Sequence, residues 1–141
     1  MSFTEQEDAS ELKLGPEFEN APCLFNGEVA LILQEIKQAA EKTVDDDLWD
    51  RAEDQNFINA LLYCERFNNF KTHEAVQNAR KILNGHGLYE FEIALLANLC
   101  PETEPLAKAY VPSLLLPERN IPSYELRDML YNLKLAQRYQ N

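Results

Sequence analysis

Few residues in this chain could do covalent chemistry, and their spacing argues against it. The thiols are Cys23, Cys64 and Cys100, and the imidazoles are His73 and His86. A Cys100 and His86 pair would be a formal nucleophile and base, but Cys100 falls between an apolar helix pattern and a proline. His73 falls in a helix's first turn, where the dipole disfavours its charged form, and His86 lies in a turn between glycines. Glu90 and Glu92 cannot act as paired carboxylates, because side chains two residues apart on a helix point away from each other. An odd number of cysteines with no C-x-x-C spacing gives neither a zinc site nor a disulfide framework, so all three read as free, mostly buried thiols. Asp45-Asp46-Asp47 opens a stretch, Asp45 to Asn56, that lacks the central glycine of a calcium loop. Gly15, Gly27, Gly85 and Gly87 begin no phosphate cradle, and there is no P-loop, nucleophile elbow or dinucleotide fingerprint. The sequence predicts no catalytic residue, no cofactor, no metal and no small-molecule substrate.

The remaining chemistry is that of charge. The formal net charge is −11. Residues 1–54 carry 15 acidic and 4 basic side chains, and residues 55–141 carry 9 of each, so all the net charge sits in the first part. Such a chain lacks the cationic surface that phosphate neutralisation needs, which argues against autonomous nucleic-acid binding. The run Arg66-Phe67-Asn68-Asn69-Phe70-Lys71 has aromatics beside cations, as a stacking platform would. With two cations in a neutral segment it reads as a corner that anchors the core. The acidic part could keep the chain soluble, steer it toward a basic partner or repel RNA from the wrong surface.

The elements that position these residues are helical. At 141 residues and 45% apolar content, one core can be buried. No signal peptide and no run of about 18 apolar residues is present, so an intracellular protein is expected. Met1 to Ser10, with only Phe3 and Ala9 to bury, reads as a disordered lead-in. Glu11 to Leu14 alternates polar and apolar before Gly15-Pro16, the pattern of a short strand. Such a strand either adds to a sheet of another chain or is extended coil on this chain's own helices.

Asn26, stapled by Phe25, caps a helix to about Lys42 with Val29, Ile32, Leu33, Ile36 and Ala40 on one stripe. The aspartate run starts a second helix to Phe67 or Phe70, carrying Trp49, Ala52, Ile58, Leu61, Leu62 and Phe67. Thr72 caps a third to Leu83, ended by Asn84-Gly85-His86-Gly87 in left-handed conformations. Leu88 to Leu99 is apolar nearly all round and should be the hub. Pro101 ends it, Thr103 starts a short helix with Pro105 in its first turn, and Pro112 closes that helix. The apolar connection Leu114 to Pro122 must be pinned to something. Ser123 caps a last helix with Leu126, Met129, Leu130 and Leu133 inward, to about Arg138. The expected fold is all-α, about six helices and an extended N-terminal arm, with the residues alone pointing to a non-enzymatic interaction module.

Four motifs then carry a resemblance. L-A-N-L-C-P-E-T from Leu96 to Thr103, A-K-A-x-V-P-S-L from Ala107 to Leu114, R-F-x-x-F-K from Arg66 to Lys71 and L-x-L-G-x-E-F from Leu12 to Phe18 resemble the family of the fourth subunit of eukaryotic RNA polymerase II, which has an archaeal counterpart. The resemblance covers most of the chain, thinning over 41–57 and 115–124. It implies three parts: an acidic arm over 1–25, a partner-docking helix over 26–43 and a helical domain similar to HRDC folds over 44–141. It implies a nuclear, non-catalytic stalk subunit that forms a heterodimer with the seventh subunit and supports initiation and transcript handling, with RNA contact mainly through that partner and no membrane. It places Leu12, Leu14 and Phe18 of the arm, and Val29, Ile32, Leu33 and Ile36 of the first helix, at the interface. Two alternatives are a free-standing HRDC-like nucleic-acid binder and the equivalent stalk subunit of a related polymerase.

Overall fold

Apolar residues recurring at three and four coil the chain into seven α-helices among the described residues of the computed structural model, which are 6–42 and 46–140, with 46–49 described as backbone alone. Helix α1 is Asn26–Lys42, α2 is Asp46–Glu53, α3 is Gln55–Arg66 and α4 is His73–Leu83. They are followed by α5 (Glu90–Leu99), α6 (Glu104–Tyr110) and α7 (Ser123–Arg138), with short 3₁₀ turns at Ala9–Glu11 and Pro112–Leu115. The all-α expectation holds.

The second expected helix is two. Asp54 leaves the helical region at φ −61°, ψ 133°, and its carboxylate accepts hydrogen bonds from the Asn56 and Phe57 amides. A carboxylate that can satisfy the orphan donors of a new first turn competes with continuing the old helix, and here it wins. Two caps are displaced by one residue. Glu28 accepts from the Phe25 amide at 3.1 Å, so Phe25 rather than Asn26 precedes the first turn of α1. Pro122 precedes α7, and the Ser123 hydroxyl donates instead to Glu104 at 2.9 Å. Thr72 and Thr103 cap as expected, by accepting from Ala75 and Leu106.

The core gathers α4, α5, α6 and α7. Leu126, Met129, Leu130 and Leu133 of α7 are all buried, meeting Ala75, Val76, Ala79 and Leu83 of α4 and Ile93, Leu96 and Ala97 of α5. Helix α5 is a hub on one face only, because Leu99 is 48% exposed. It ends in a left-handed residue, Cys100 at φ 43°, before Pro101. Gly85 and Gly87, at φ 82° and 75°, supply the reversal between α4 and α5.

Helix α1 joins this core through its first turn. Phe25 is buried edge-on against Phe70, with ring centroids 6.1 Å apart. A Cβ on Gly27 would stand 2.7 Å from Asn68 Oδ1 and 3.0 Å from a Val76 methyl, so a larger residue would displace the Asn68 side chain from the Phe70 amide that donates to it. Beyond that turn α1 packs against α2 and α3.

The arm departs from the expected strand. Asp8 Oδ1 accepts from the Ser10 amide, Leu12 sits at φ 62°, and Asp8 and Lys13 form an isolated antiparallel bridge. Residues 8–13 therefore form a tight turn that takes in Glu11 to Lys13 of the expected strand, because the Asp8 side chain offers the backbone a local partner that competes with extension. Of the disordered lead-in expected over 1–10, residues 1–5 lie outside the described residues, and Asp8 to Ser10 belong to this turn. Asp45 and the Trp49 side chain also lie outside them.

Candidate partner interface

Two polar clusters fix the frame on which any docking face is displayed. The first surrounds Arg80 on α4. Its guanidinium donates to Glu28 at 2.5 and 3.1 Å, to Glu90 at 3.1 Å and to the Cys23 carbonyl at 2.8 Å, and lies 5.5 Å from the Phe25 ring centroid. Hydrogen bonding to Glu28 holds the Arg80 pKa above its usual value, against the opposing effect of burial. The Cys23 amide donates to Glu90, and the Asn26 amide to the Asn98 side chain at 2.8 Å. The junction of arm and α1 is thereby locked onto α4 and α5.

The second cluster surrounds Glu92, fully buried on α5. Its carboxylate accepts from Arg119 at 2.7 and 2.8 Å, from the Ser113 hydroxyl at 2.5 Å and from the Tyr89 amide at 2.8 Å. Arg119 also donates to the Gly87 carbonyl and lies 5.1 Å from the Tyr89 ring centroid. A buried ion is tolerated when every lone pair is satisfied, as here. This pair is what pins the connection from Leu114 to Pro122. Glu90 and Glu92 do point apart, each to its own arginine.

The residues singled out by chemical type are absorbed into structure. His86 Nδ1 lies 2.5 Å from Glu125, and the Cys100 thiol donates to the Ala97 carbonyl at 3.2 Å, so the two form no pair. Burial pushes the Cys100 thiol up to about 11 and raises that of Cys64. Cys64 is buried, whereas Cys23 and Cys100 are half-buried. Among the described residues no cluster of acidic, Cys or His side chains could hold a metal, and no helix is long and apolar enough to cross a membrane. In the corner at 66–71, Phe70 is buried and the Asn69 side chain donates to the Asn98 carbonyl, while Phe67 is 50% exposed.

The expected interface residues form two groups. On α1 the side chains turned inward are small, Gly27, Ala30 and Ala40. Ile32 is exposed, and Val29, Leu33 and Ile36 are half-buried. Leu33 and Ile36 line a groove of 540 Å³ with Asp50, Arg51, Asp54 and Phe57 of the α2–α3 pair. On neighbouring α3, Leu62 and Tyr63 are 58% and 59% exposed. Helix α1 thus buries Gly27, Ala30 and Ala40 and α3 buries Leu61 and Cys64, while Ile32, Leu62 and Tyr63 are left outward. The second group lies on the arm. Leu14 is half-buried and Phe18 exposed, and both line a 420 Å³ cleft with Cys23, Tyr89 and Phe91 at the start of α5. Leu12 is half-buried at the left-handed turn, and the arm's 3₁₀ turn packs against Pro112–Leu115. The arm thus rests on this chain's own body.

Sequence reasoning missed Arg80 and Glu92. Arg80 is one of the nine basic residues of 55–141, and its partner Glu28 is 52 residues away. No local periodicity marks such a pairing.

Comparison with known proteins places this architecture. A family model described as RNA polymerase Rpb4 matches residues 23–136. The chain is similar to DNA-directed RNA polymerase II subunit 4 of Arabidopsis thaliana, with 41% identity over 140 residues that cover 99% of this chain and 100% of that one. It is 34% identical over 127 residues to DNA-directed RNA polymerase II subunit rpb4 of Dictyostelium discoideum, covering 78% of each. With the subunit rpb4 of Schizosaccharomyces pombe it shares 31% identity over 138 residues, 96% of each chain.

Proposed function

The chain belongs to the RNA polymerase Rpb4 family, a non-catalytic component of DNA-directed RNA polymerase II, and from that premise we propose that it is a stalk subunit that works as a heterodimer with the seventh subunit. The observation that carries the reading is the outward apolar surface of α1 to α3. Ile32, Leu62 and Tyr63 are exposed, while the inward faces of their helices are closed by Ala30 and Ala40 on α1 and by Leu61 and Cys64 on α3. Full burial of an apolar side chain is favourable by roughly 1.5–3 kcal/mol, and these residues, about half exposed, would gain about half of that on docking, so such a face favours a partner.

In this reading Val29, Ile32, Leu33 and Ile36 meet the seventh subunit. Leu12, Leu14 and Phe18 join them if the arm leaves its resting place on α5, and addition to a partner sheet would then require the turn at 9–12 to open. The domain division at 25 and 43, the HRDC-like character of the later helices and the role in initiation and transcript handling belong to the same proposal. Its place of action is the nucleus. RNA contact falls mainly to the partner, because Arg80 and Arg119 are already committed to Glu28, Glu90 and Glu92. That commitment also disfavours a free-standing nucleic-acid binder.

Affinity purification of the tagged chain from cells, with identification of the attached large subunit, tests the assignment. Recovery of the polymerase II large subunit together with the seventh subunit is expected. Recovery of another polymerase's large subunit, or of none, would overturn it.

A further inference from the structure

Helix α7 buries one face and displays another that the stalk reading does not use. Tyr124, Arg127, Tyr131, Lys134 and Arg138 recur at three and four along it, so they share one side of the helix. Tyr124 and Tyr131 are each 63% exposed. Beside this stripe two adjacent cavities of 540 and 330 Å³, which share Glu102, Leu130 and Lys134 in their lining, make a grooved surface between α7 and the turn from α5 to α6. Its apolar surface comes from Leu130, Pro101 and Pro105, and its cationic wall from Arg127, Lys134 and Arg138.

We propose that this groove is a docking site for a short, extended acidic segment of a partner protein. Three observations favour that occupant. Three of the chain's 13 cations, Arg127, Lys134 and Arg138, share one helix face in a chain whose net charge is −11. A short acidic segment is attracted locally, within a screening length of about 8–10 Å. Lys134 already faces a carboxylate, Glu102, at a loose 3.7 Å with that side chain 71% exposed, and an incoming carboxylate can replace it. Glu104, which also lines the groove, accepts from Lys108 at 2.7 Å and from Ser123 and feels the charge of Arg127, all of which lower its pKa, so an incoming carboxylate competes with it for Arg127. The apolar floor accepts intervening apolar side chains, and arginine forks match carboxylates. From Arg127 to Arg138 the stripe spans about 16 Å, the reach of roughly five extended residues. The site is independent of the α1–α3 face and can be tested on the chain by itself.

The experiment measures fluorescence anisotropy of a labelled peptide alternating Glu with Leu and Phe, titrated with the full-length chain. The same titration is run with a peptide carrying Gln for Glu, and with oligouridylate. Binding of the Glu peptide in the range of about 10–100 μM, weakened about tenfold by Arg127→Ala with Arg138→Ala and weakened by salt, is expected. Lys81→Ala, on α4 outside the groove, should leave the affinity unchanged. An unchanged thermal midpoint in each variant establishes that the surface changes leave the fold intact. Equal binding of the Glu and Gln peptides, or insensitivity to the double substitution, overturns the proposal. Tighter binding of oligouridylate that is lost in the same variants would assign the groove to nucleic acid and overturn it as well.

Discussion

Glu92 and Arg119 make the strongest demand on the fold at the scale of single residues. The carboxylate is fully buried and the guanidinium nearly so, so neither can fall back on water when the other is removed. Arg119→Ala should therefore destabilise the chain by about 3–5 kcal/mol, measured by urea denaturation. Replacing both, as Glu92→Leu with Arg119→Met, should recover most of that loss, because the cost lies in the orphaned charge rather than in the absent attraction. A double variant as unstable as Arg119→Ala would mean that the attraction within the pair, and not the orphaned charge, accounts for the loss. Cys100 gives a pH-dependent counterpart. Burial raises its thiol from 9.0 to about 11 in the folded chain, so the unfolded chain loses this proton first as pH rises. Stability contributed by the protonated thiol is complete below about pH 9 and declines between pH 9 and 11. Denaturation midpoints in that interval should fall less steeply in Cys100→Ala than in the parent, and parallel slopes would contradict the assignment.

Among the elements, the break at Asp54 has a measurable cost. Asp54→Ala removes the acceptor for the Asn56 and Phe57 amides and should destabilise the α2–α3 pair by about 1 kcal/mol. A stabilised variant would mean that a continuous helix is preferred. The break also shows which parts of this fold are legible in sequence. Stripes such as Leu126, Met129, Leu130 and Leu133 are readable because each residue's environment is set by neighbours three or four positions away. Thr72, Thr103 and the Gly85–Gly87 reversal are readable for the same local reason. Asp54 was hidden because apolar residues recur on both sides of it, and the aspartates at 45–47 offered a stronger start signal. The alternation at Glu11 to Leu14 suggested extension, yet the Asp8 side chain closes a turn there. Arg80 and Glu92 depend on partners brought together only by tertiary folding. For the candidate interface, the apolar α1 side chains were legible as a stripe. Their exposure was not, because the period alone does not distinguish a face packed through Ala30 and Ala40 from one packed through Leu33 and Ile36.

At the scale of the whole molecule, charge and apolar surface are separated. All the net charge lies in residues 1–54, and the later arginines Arg80 and Arg119 are neutralised within the fold. The chain alone should bind single-stranded RNA no better than about 10⁻⁴ M at physiological salt. Micromolar binding by the isolated chain in a filter assay would overturn the assignment of RNA contact to the partner. The central claim is that α1 to α3 present an unfinished surface to the seventh subunit. Thermal denaturation of the chain mixed with that subunit, with and without Ile32→Asp and Leu62→Asp, both at exposed positions, tests it most directly. The account predicts a raised midpoint for the parent pair, from an interface of upward of about 2,000 Å², and loss of that rise in the double variant while its midpoint alone is nearly unchanged. No rise on mixing, or a rise that survives both substitutions, would contradict it.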